Sequence, residues 1–417
     1  MPPTPKIHIL GLGNLGRLFA HALATSPHPP PITILFHRSS LQEDWENAGR
    51  RIEITSKDLT SSSSSSNYSV EVVDPNINNS TNTSTSNHNL VQDENTQEKE
   101  QKSDPDGDLI ENLIITTKTL HTVRALTPLA HRLNKNSTLL FAQNGMGTVE
   151  EVTAALFSNP STRPKYLAAI TSHGVYSTGP FRSVHAGLAN VTVGPVYPQP
   201  GTTPASSSAS SSNSTSGNEK AEKDTNPDSA QIQTQPPYLL NALTIAPLLS
   251  ATSVSASSLK YLQLEKLTMN SILNPLTAIL HIKNGEILNH APVRKLTRIL
   301  VEECSQILLS LPELQTPSSP TEGDDLTLTL EERFSPTRLE SLVVAVAQKT
   351  AANTSSMLQD VQAGRATEIE YINGYFIKRA REAGVQCGNH ERLRGMVRDG
   401  VRIGVGDVEE WFPDVNK

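Results

Sequence analysis

Lys266, Asn270 and Asn274 recur every four residues, so on an α-helix they lie along one face. Around them, Leu264, Leu267, Met269, Ile272, Leu273, Leu276 and Ile279 are the residues of a core helix. A lysine supplies positive charge and a proton, and an asparagine amide holds a hydroxyl or a carbonyl. Placing these groups in an apolar setting costs free energy unless each finds a partner. Two readings stay open: a solvated or internally satisfied polar face, or the wall of a ligand site. Pro275, a helix-distorting residue directly after Asn274, keeps the second reading in play.

A second polar run carries Asn353, Ser355, Ser356 and Asp360, followed by Thr367, Glu368, Glu370, Tyr371 and Asn373. Its first part extends an apolar helical pattern through Leu342, Val343 and Val346. Taken alone, the serines cap or back-bond a helix, and Glu368 sits in a first turn favoured by the dipole. Two further segments follow apolar strand-like runs, at the strand ends where open α/β sheets bind ligands. They are Thr116-Thr117-Lys118 and Gln143-Asn144-Gly145-Met146-Gly147. Lys118 offers charge, Asn144 offers amide hydrogen bonds, and the glycines allow close approach; each is also ordinary loop chemistry.

The elements that position these residues begin with Ile7-His8-Ile9-Leu10-Gly11-Leu12-Gly13-Asn14-Leu15-Gly16, a strand entering a helix through G-x-G-x-x-G. Gly11 permits the tight turn, Gly13 lets backbone approach a pyrophosphate, and Gly16 lets helix and strand pack closely. Directly after a first strand, this pattern reads as a dinucleotide-binding turn. The second strand ends Phe36-His37-Arg38-Ser39, with arginine where an NAD site usually has an acid. Arg38 suits a 2′-phosphate and therefore NADP(H); its alternative is an ordinary surface arginine.

Strands are expected at Lys6 to Leu10, Ile32 to Phe36, Leu109 to Thr116 and Thr138 to Ala142, with helices at Asn14 to Ala24 and His121 to Leu133. That alternation predicts a parallel sheet with helices on both faces. Tyr166 to Val175 and Asn190 to Val193, around a Thr178-Gly179-Pro180 turn, predict antiparallel closure. From 236 to 417 the pattern is helical, with segments near 259–280, 292–310, 337–358, 369–383 and 390–403. Two stretches, 56–107 and 199–235, are too rich in serine, asparagine, threonine and charge to bury a core, and are read as disordered insertions; Tyr68 to Val73 is a short strand candidate inside the first. The expected domains are 1–198, 199–235 as insertion, and 236–417.

The chain has 417 residues and a net charge of -7. Without a block of lysine and arginine, it has no footprint for nucleic acid. Its two cysteines, Cys304 and Cys387, fit no metal spacing and suit a reducing compartment. His121, His131, His173 and His185 also lack ligand spacing. No apolar run reaches transmembrane length, and the first strand follows the N-terminus too closely for a targeting peptide. The expectation is a cytoplasmic protein with no membrane partner, an internal mitochondrial signal being left open.

Taken together, Lys266-Leu-Thr-Met-Asn270, Asn274-Pro275-Leu-Thr-Ala, Asn284-Gly285-Glu286, Gln143 to Gly147, Ser355 to Asp360 and Thr367 to Gly374 closely resemble ketopantoate reductase, also called 2-dehydropantoate 2-reductase. The resemblance leaves out only the low-complexity stretches and the chain ends. It implies an α/β N-terminal Rossmann-type domain, an all-α C-terminal domain, and an active site in the cleft between them. It implies reduction of 2-dehydropantoate to (R)-pantoate with NADPH/NADP+, a step toward pantothenate and coenzyme A, in a monomer or homodimer. Carried over by motif, Lys266 matches the catalytic lysine and Glu368 the active-site acid. Asn270, Asn274, Asn284 and Ser356 match substrate-binding positions; Gly11, Leu12, Gly13, Asn14, Leu15, Gly16, Arg38, Lys118 and Asn144 fall at cofactor positions. Other readings are a related NADPH-dependent 2-oxo or 3-hydroxy acid dehydrogenase of different substrate choice, and a non-catalytic NADP(H)-sensing protein.

Overall fold

Strands β1 (Ile7–Leu10) and β2 (Ile32–Phe36) bury every residue, as strands covered on both faces must. The computed structural model, which describes residues 4–73, 109–198, 237–315 and 328–416, pairs them in parallel with Ile7 opposite Ile32. Helix α1 (Asn14–Ala24) joins them, and α2 (Ser39–Asn47) follows β2. Then come β3 (Ile52–Ser56), β4 (Ser62–Ser65) and β5 (Tyr68–Val72). After these stand β6 (Asn112–Ile115), a short α3 (Thr122–Leu126), β7 (Thr138–Phe141), α4 (Thr148–Leu156) and β8 (Lys165–Thr171). The order β5-β2-β1-β6-β7-β8 is parallel throughout, the arrangement of a dinucleotide-binding doubly wound sheet. Alternation splits its side chains between two layers. Ile7, Ile9 and Ile34 meet Leu18, Phe19 and Leu23 of α1 on one face; Leu10, Leu35, Leu113 and Ile115 meet Leu126 and Val152 on the other.

The Thr178-Gly179-Pro180 turn does not join the two strands expected around it. It closes a separate hairpin, β9 (Gly174–Gly179) with β10 (Arg182–Gly187), in a second sheet ordered β4-β3-β10-β9. Phe181 explains the difference: at φ 54° it buries its ring against Trp45 and Phe36, at 4.9 and 6.1 Å between centroids. The expected antiparallel closure comes from β11 (Val191–Pro195) on β8. Part of the first expected insertion is also ordered. Ser62–Ser65 pairs with Ile52–Thr55 and Tyr68–Val72 forms the sheet edge, so backbone pairing organises serines that lack apolar side chains. Residues 74–107 and 199–235, the rest of the expected insertions, lie outside the described residues. The helix expected over 121–133 is α3 continued by a 3₁₀ stretch, Thr127–Arg132, with Pro128 at its start.

Helix α5 (Tyr238–Thr244) leads to the edge strand β12 (Ala251–Ser253). The helical part then runs α6 (Ala256–Leu280), α7 (Ala291–Leu309), the single turns α8 (Pro312–Gln315) and α9 (Leu330–Arg333), α10 (Pro336–Lys349), α11 (Ser356–Gln362), α12 (Ile369–Ala383), α13 (Gly388–Arg398) and α14 (Val408–Trp411). Leu267, Ile272, Leu276 and Ile279 of α6 join Leu300, Val343 and Phe376 in one core; each such side chain contributes about 1.5–3 kcal/mol on burial. The helix expected over 337–358 is interrupted. After Lys349 the carbonyls of Ala351 and Asn353 turn outward to the amides of Gly285 (3.2 Å) and Asn284 (3.1 Å). Ser355 then restarts the chain as the N-cap of α11, accepting from Leu358 N at 3.1 Å. A Cβ on Gly285 would lie 2.6 Å from that of Ala351, so this contact requires glycine. Among the described residues no helix is long and apolar enough to cross a membrane, and no group of three or more His, Cys, Asp or Glu is placed to hold a metal.

Candidate active site

At the end of β1 the chain turns through Gly11 at φ +95°, and Thr116 Oγ1 donates to the Gly11 carbonyl at 2.5 Å. A Cβ on Gly16 would stand 2.1 Å from that carbonyl, whereas one on Gly13 would meet nothing within 4 Å. Gly13 caps α1 without a side-chain hydrogen bond, so the first-turn amides around Asn14 and Leu15 remain for an anion. Open space above Gly13 and free amides below it fit the pyrophosphate of a dinucleotide. Leu12 is half-buried, and its carbonyl accepts from Arg17 Nε at 3.2 Å.

Arg38 stands exposed at the end of β2, as the N-cap residue of α2. Beside it, His37 is held below the ordinary histidine value by burial and then by Arg38, His121 and Arg124. Arg124 therefore adds a second cation near His37, and the sequence pattern exposed only Arg38. His121 closes the short 3₁₀ turn after β6 and Arg124 lies in α3, a juxtaposition that no local motif carries.

Lys266 projects from the middle of α6 toward the Rossmann domain. Its ammonium donates to the Thr171 carbonyl at 2.9 Å and to Asn144 Oδ1 at 3.2 Å. Burial lowers Lys266 to about 8, and the Glu368 carboxylate opposes that shift. Glu368 is itself pushed upward by burial, against hydrogen bonds from Thr119 and Asn144 and the charge of Lys118. Thr119 contributes both its amide and its hydroxyl to Glu368 Oε1, each at 3.2 Å. Thr119 and Thr171 were not singled out in the sequence; Thr119 directly follows Lys118, but a backbone acceptor such as the Thr171 carbonyl leaves no signal. The adjacent Glu265 turns away, held by Arg333 and Arg338 at 2.9 Å each, and so fixes the rotation of α6.

Gln143, Asn144, Gly145, Ile170, Lys266 and Asn270 line one pocket. Asn270 and Asn274 have no hydrogen-bond partner for their amides among the described residues, and Asn274 is buried. Asn270 is only half-buried, and amides left open beside this pocket are available to a ligand. Asn284 is buried too; it donates to Thr350 Oγ1 at 2.9 Å while its Oδ1 stays unpaired. Ser356 is exposed in the first turn of α11. Its neighbour Ser355 accepts from Thr277 Oγ1 of α6 at 2.7 Å, which fixes where that turn begins. Lys118 stands just past the end of β6, facing the helical domain. It pairs with Asp360 at 2.6 Å and donates to the Ala366 carbonyl at 3.0 Å, bridging to the helical domain because that carboxylate satisfies its charge locally.

The domains also meet through the loop after β7. Met146 N donates to the Tyr371 carbonyl at 2.8 Å, and Tyr371 Oη to Glu151 Oε2 at 2.7 Å. Gly145, at φ +83°, would carry a Cβ only 2.5 Å from the Tyr371 carbonyl. Hence Asn144 is set against α12 and α6 together.

Comparison with known proteins places this geometry. Residues 7–198 match the family model described as ketopantoate reductase PanE/ApbA, and residues 258–400 its C-terminal model. The probable 2-dehydropantoate 2-reductase of Schizosaccharomyces pombe is 33% identical, over 67% of this chain and 70% of that protein. A ketoisovalerate reductase of Gibberella fujikuroi is 28% identical over 94% of this chain and 82% of its own length. Among solved structures, D-mandelate dehydrogenase with NADH and anilino(oxo)acetate shares the fold at a TM-score of 0.63 and 14% identity, covering 97% of this chain and 99% of that one. A PanE/ApbA family protein of Ralstonia eutropha does so at 0.61 and 16%, covering 95% and 98%.

Proposed function

The chain belongs to the ketopantoate reductase family of NAD(P)H-dependent oxidoreductases, and on that premise we propose that it reduces 2-dehydropantoate to (R)-pantoate with NADPH. The observation that carries this reading is the Lys266 ammonium, held by Thr171 and Asn144 beside Glu368 in a pocket walled by Asn270. Gly11 to Gly16 with the first turn of α1 would hold the pyrophosphate, and Arg38 the 2′-phosphate that distinguishes NADPH from NADH. When bound, NADPH supplies the hydride to the ketone carbon of the substrate.

Negative charge then grows on the ketone oxygen, and Lys266 stabilises it and delivers a proton. Its lowered pKa eases that transfer, while Glu368 keeps the ammonium charged before reaction. Asn144 and the Thr171 carbonyl aim the ammonium. The unpartnered amides of Asn270 and Asn274 hold the substrate hydroxyl and carbonyl, reducing the orientational freedom the reaction must otherwise lose. Asn284 and Ser356 complete the substrate wall in this reading.

The similarity to a ketoisovalerate reductase over 94% of the chain supports a second reading, with an unhydroxylated branched 2-oxo acid as substrate. NADPH oxidation measured with 2-dehydropantoate, 2-oxoisovalerate and other 2-oxo acids side by side tests both. The first reading requires 2-dehydropantoate to give the highest kcat/KM. A higher value with 2-oxoisovalerate selects the second, and tight NADPH binding without oxidation on any acid leaves only a sensor.

A further inference from the structure

An α-helical carbonyl is normally satisfied by the amide four residues later. In α6 that partner is missing for Ser271, because residue 275 is proline and has no N–H. Helix α6 nevertheless runs unbroken from Ala256 to Leu280, and Ser271 and Pro275 are both buried. A buried carbonyl without water or amide must be satisfied from elsewhere.

The replacement donor is Asn373 of α12. Its Nδ2 lies 2.9 Å from the Ser271 carbonyl and 3.0 Å from His390 Nδ1, so its two hydrogens meet two acceptors. The His390 tautomer agrees, since Nε2 faces the Leu300 carbonyl at 3.1 Å and must donate there, leaving Nδ1 to accept. Burial holds His390 below the ordinary histidine value, in its neutral form. Asn373 is fully buried, and its Oδ1 has no partner. A residue present only for packing would not carry that orphan oxygen; the two donors account for the amide.

We propose that Asn373 is a positioning residue: by supplying the hydrogen bond that Pro275 withholds from Ser271, it locks α6 and α12 in the register that brings Lys266 and Glu368 together. Ser271 follows Lys266 by five residues and Asn373 follows Glu368 by five. The chemical pair and the structural pair thus recur at the same offset, on α6 and on α12 with its N-cap residue Glu368. Asn373 touches neither Lys266 nor Glu368, and acts through the helices that carry them.

The inference rests on the assignment of the chemistry to Lys266 and Glu368, whose own failure is read separately, as turnover that survives Lys266→Ala. The test compares wild type, Asn373→Leu, Pro275→Ala and the double variant. For each, kcat and KM for the best 2-oxo acid, NADPH affinity by fluorescence and thermal unfolding are measured. Asn373→Leu is expected to lower kcat by about a hundredfold, the cost of a misplaced reacting group, with NADPH affinity unchanged because the dinucleotide turn lies in the other domain. Pro275→Ala in the same chain returns an amide to Ser271 and is expected to recover roughly tenfold or more of that loss, as coupled neighbours do. A folded Asn373→Leu enzyme with wild-type kcat overturns the proposal, as does a double variant no more active than the single. Where Asn373→Leu alone does not fold, a folded and active double variant supports the proposal and an inactive one overturns it.

Discussion

Lys266 and Thr171 belong to different domains, yet the lysine ammonium donates to the threonine carbonyl at 2.9 Å. The reacting group of α6 is thereby held by the last residue of β8, the outermost strand of the parallel series. Asn144, at the end of β7, provides the second acceptor at 3.2 Å. The site therefore exists only where the two domains close on each other, and the Met146–Tyr371 and Lys118–Asp360 contacts hold that closure.

The pH dependence follows from Lys266. A general acid must be protonated, and burial lowers this ammonium to about 8, so kcat/KM should be full below that pH and fall as pH rises through it. Glu368 opposes the lowering; Glu368→Gln removes that support and should move the alkaline limb to lower pH. A pH–rate profile of both enzymes checks this, and an unmoved limb in Glu368→Gln would disconnect the two residues.

Arg38 sets the cofactor choice in this account. Arg38→Ala should raise KM for NADPH by about tenfold or more, the worth of a charge-assisted hydrogen bond, and leave KM for NADH nearly unchanged. Steady-state kinetics with both nucleotides decides it. Equal losses with the two would reduce Arg38 to a surface arginine.

Asn270 separates hydroxylated from unhydroxylated substrates if its unpartnered amide holds the substrate hydroxyl. Asn270→Ala should then lower kcat/KM for 2-dehydropantoate by about tenfold more than for 2-oxoisovalerate. Parallel losses on both acids would assign the amide to the shared carboxylate or ketone.

The parallel sheet, the glycine turn and the helical second domain were legible in the sequence because each rests on local pattern: unbroken apolar runs, G-x-G-x-x-G, and helical periodicity. The polar face of Lys266, Asn270 and Asn274 was legible for the same reason. What stayed hidden depended on tertiary pairing. The β9–β10 hairpin forms because Phe181 finds Trp45 and Phe36, and the break after Lys349 forms because Asn284 and Gly285 capture two carbonyls. Lys118 carried a motif position that suited a cofactor, but its ion pair with Asp360, more than two hundred residues away, left no local signal. His121 and Arg124 come near His37 from the segment that follows β6, which pairs with β1.

The most direct measurement is turnover by Lys266→Ala beside NADPH affinity in the same protein. With 2-dehydropantoate as substrate, kcat should fall by roughly a hundred- to ten-thousandfold, while the NADPH dissociation constant, set at Gly11 to Gly16 and Arg38, stays close to that of the wild type. Near-normal turnover with the lysine removed would contradict the assignment of the general acid and, with it, the reading of the cleft.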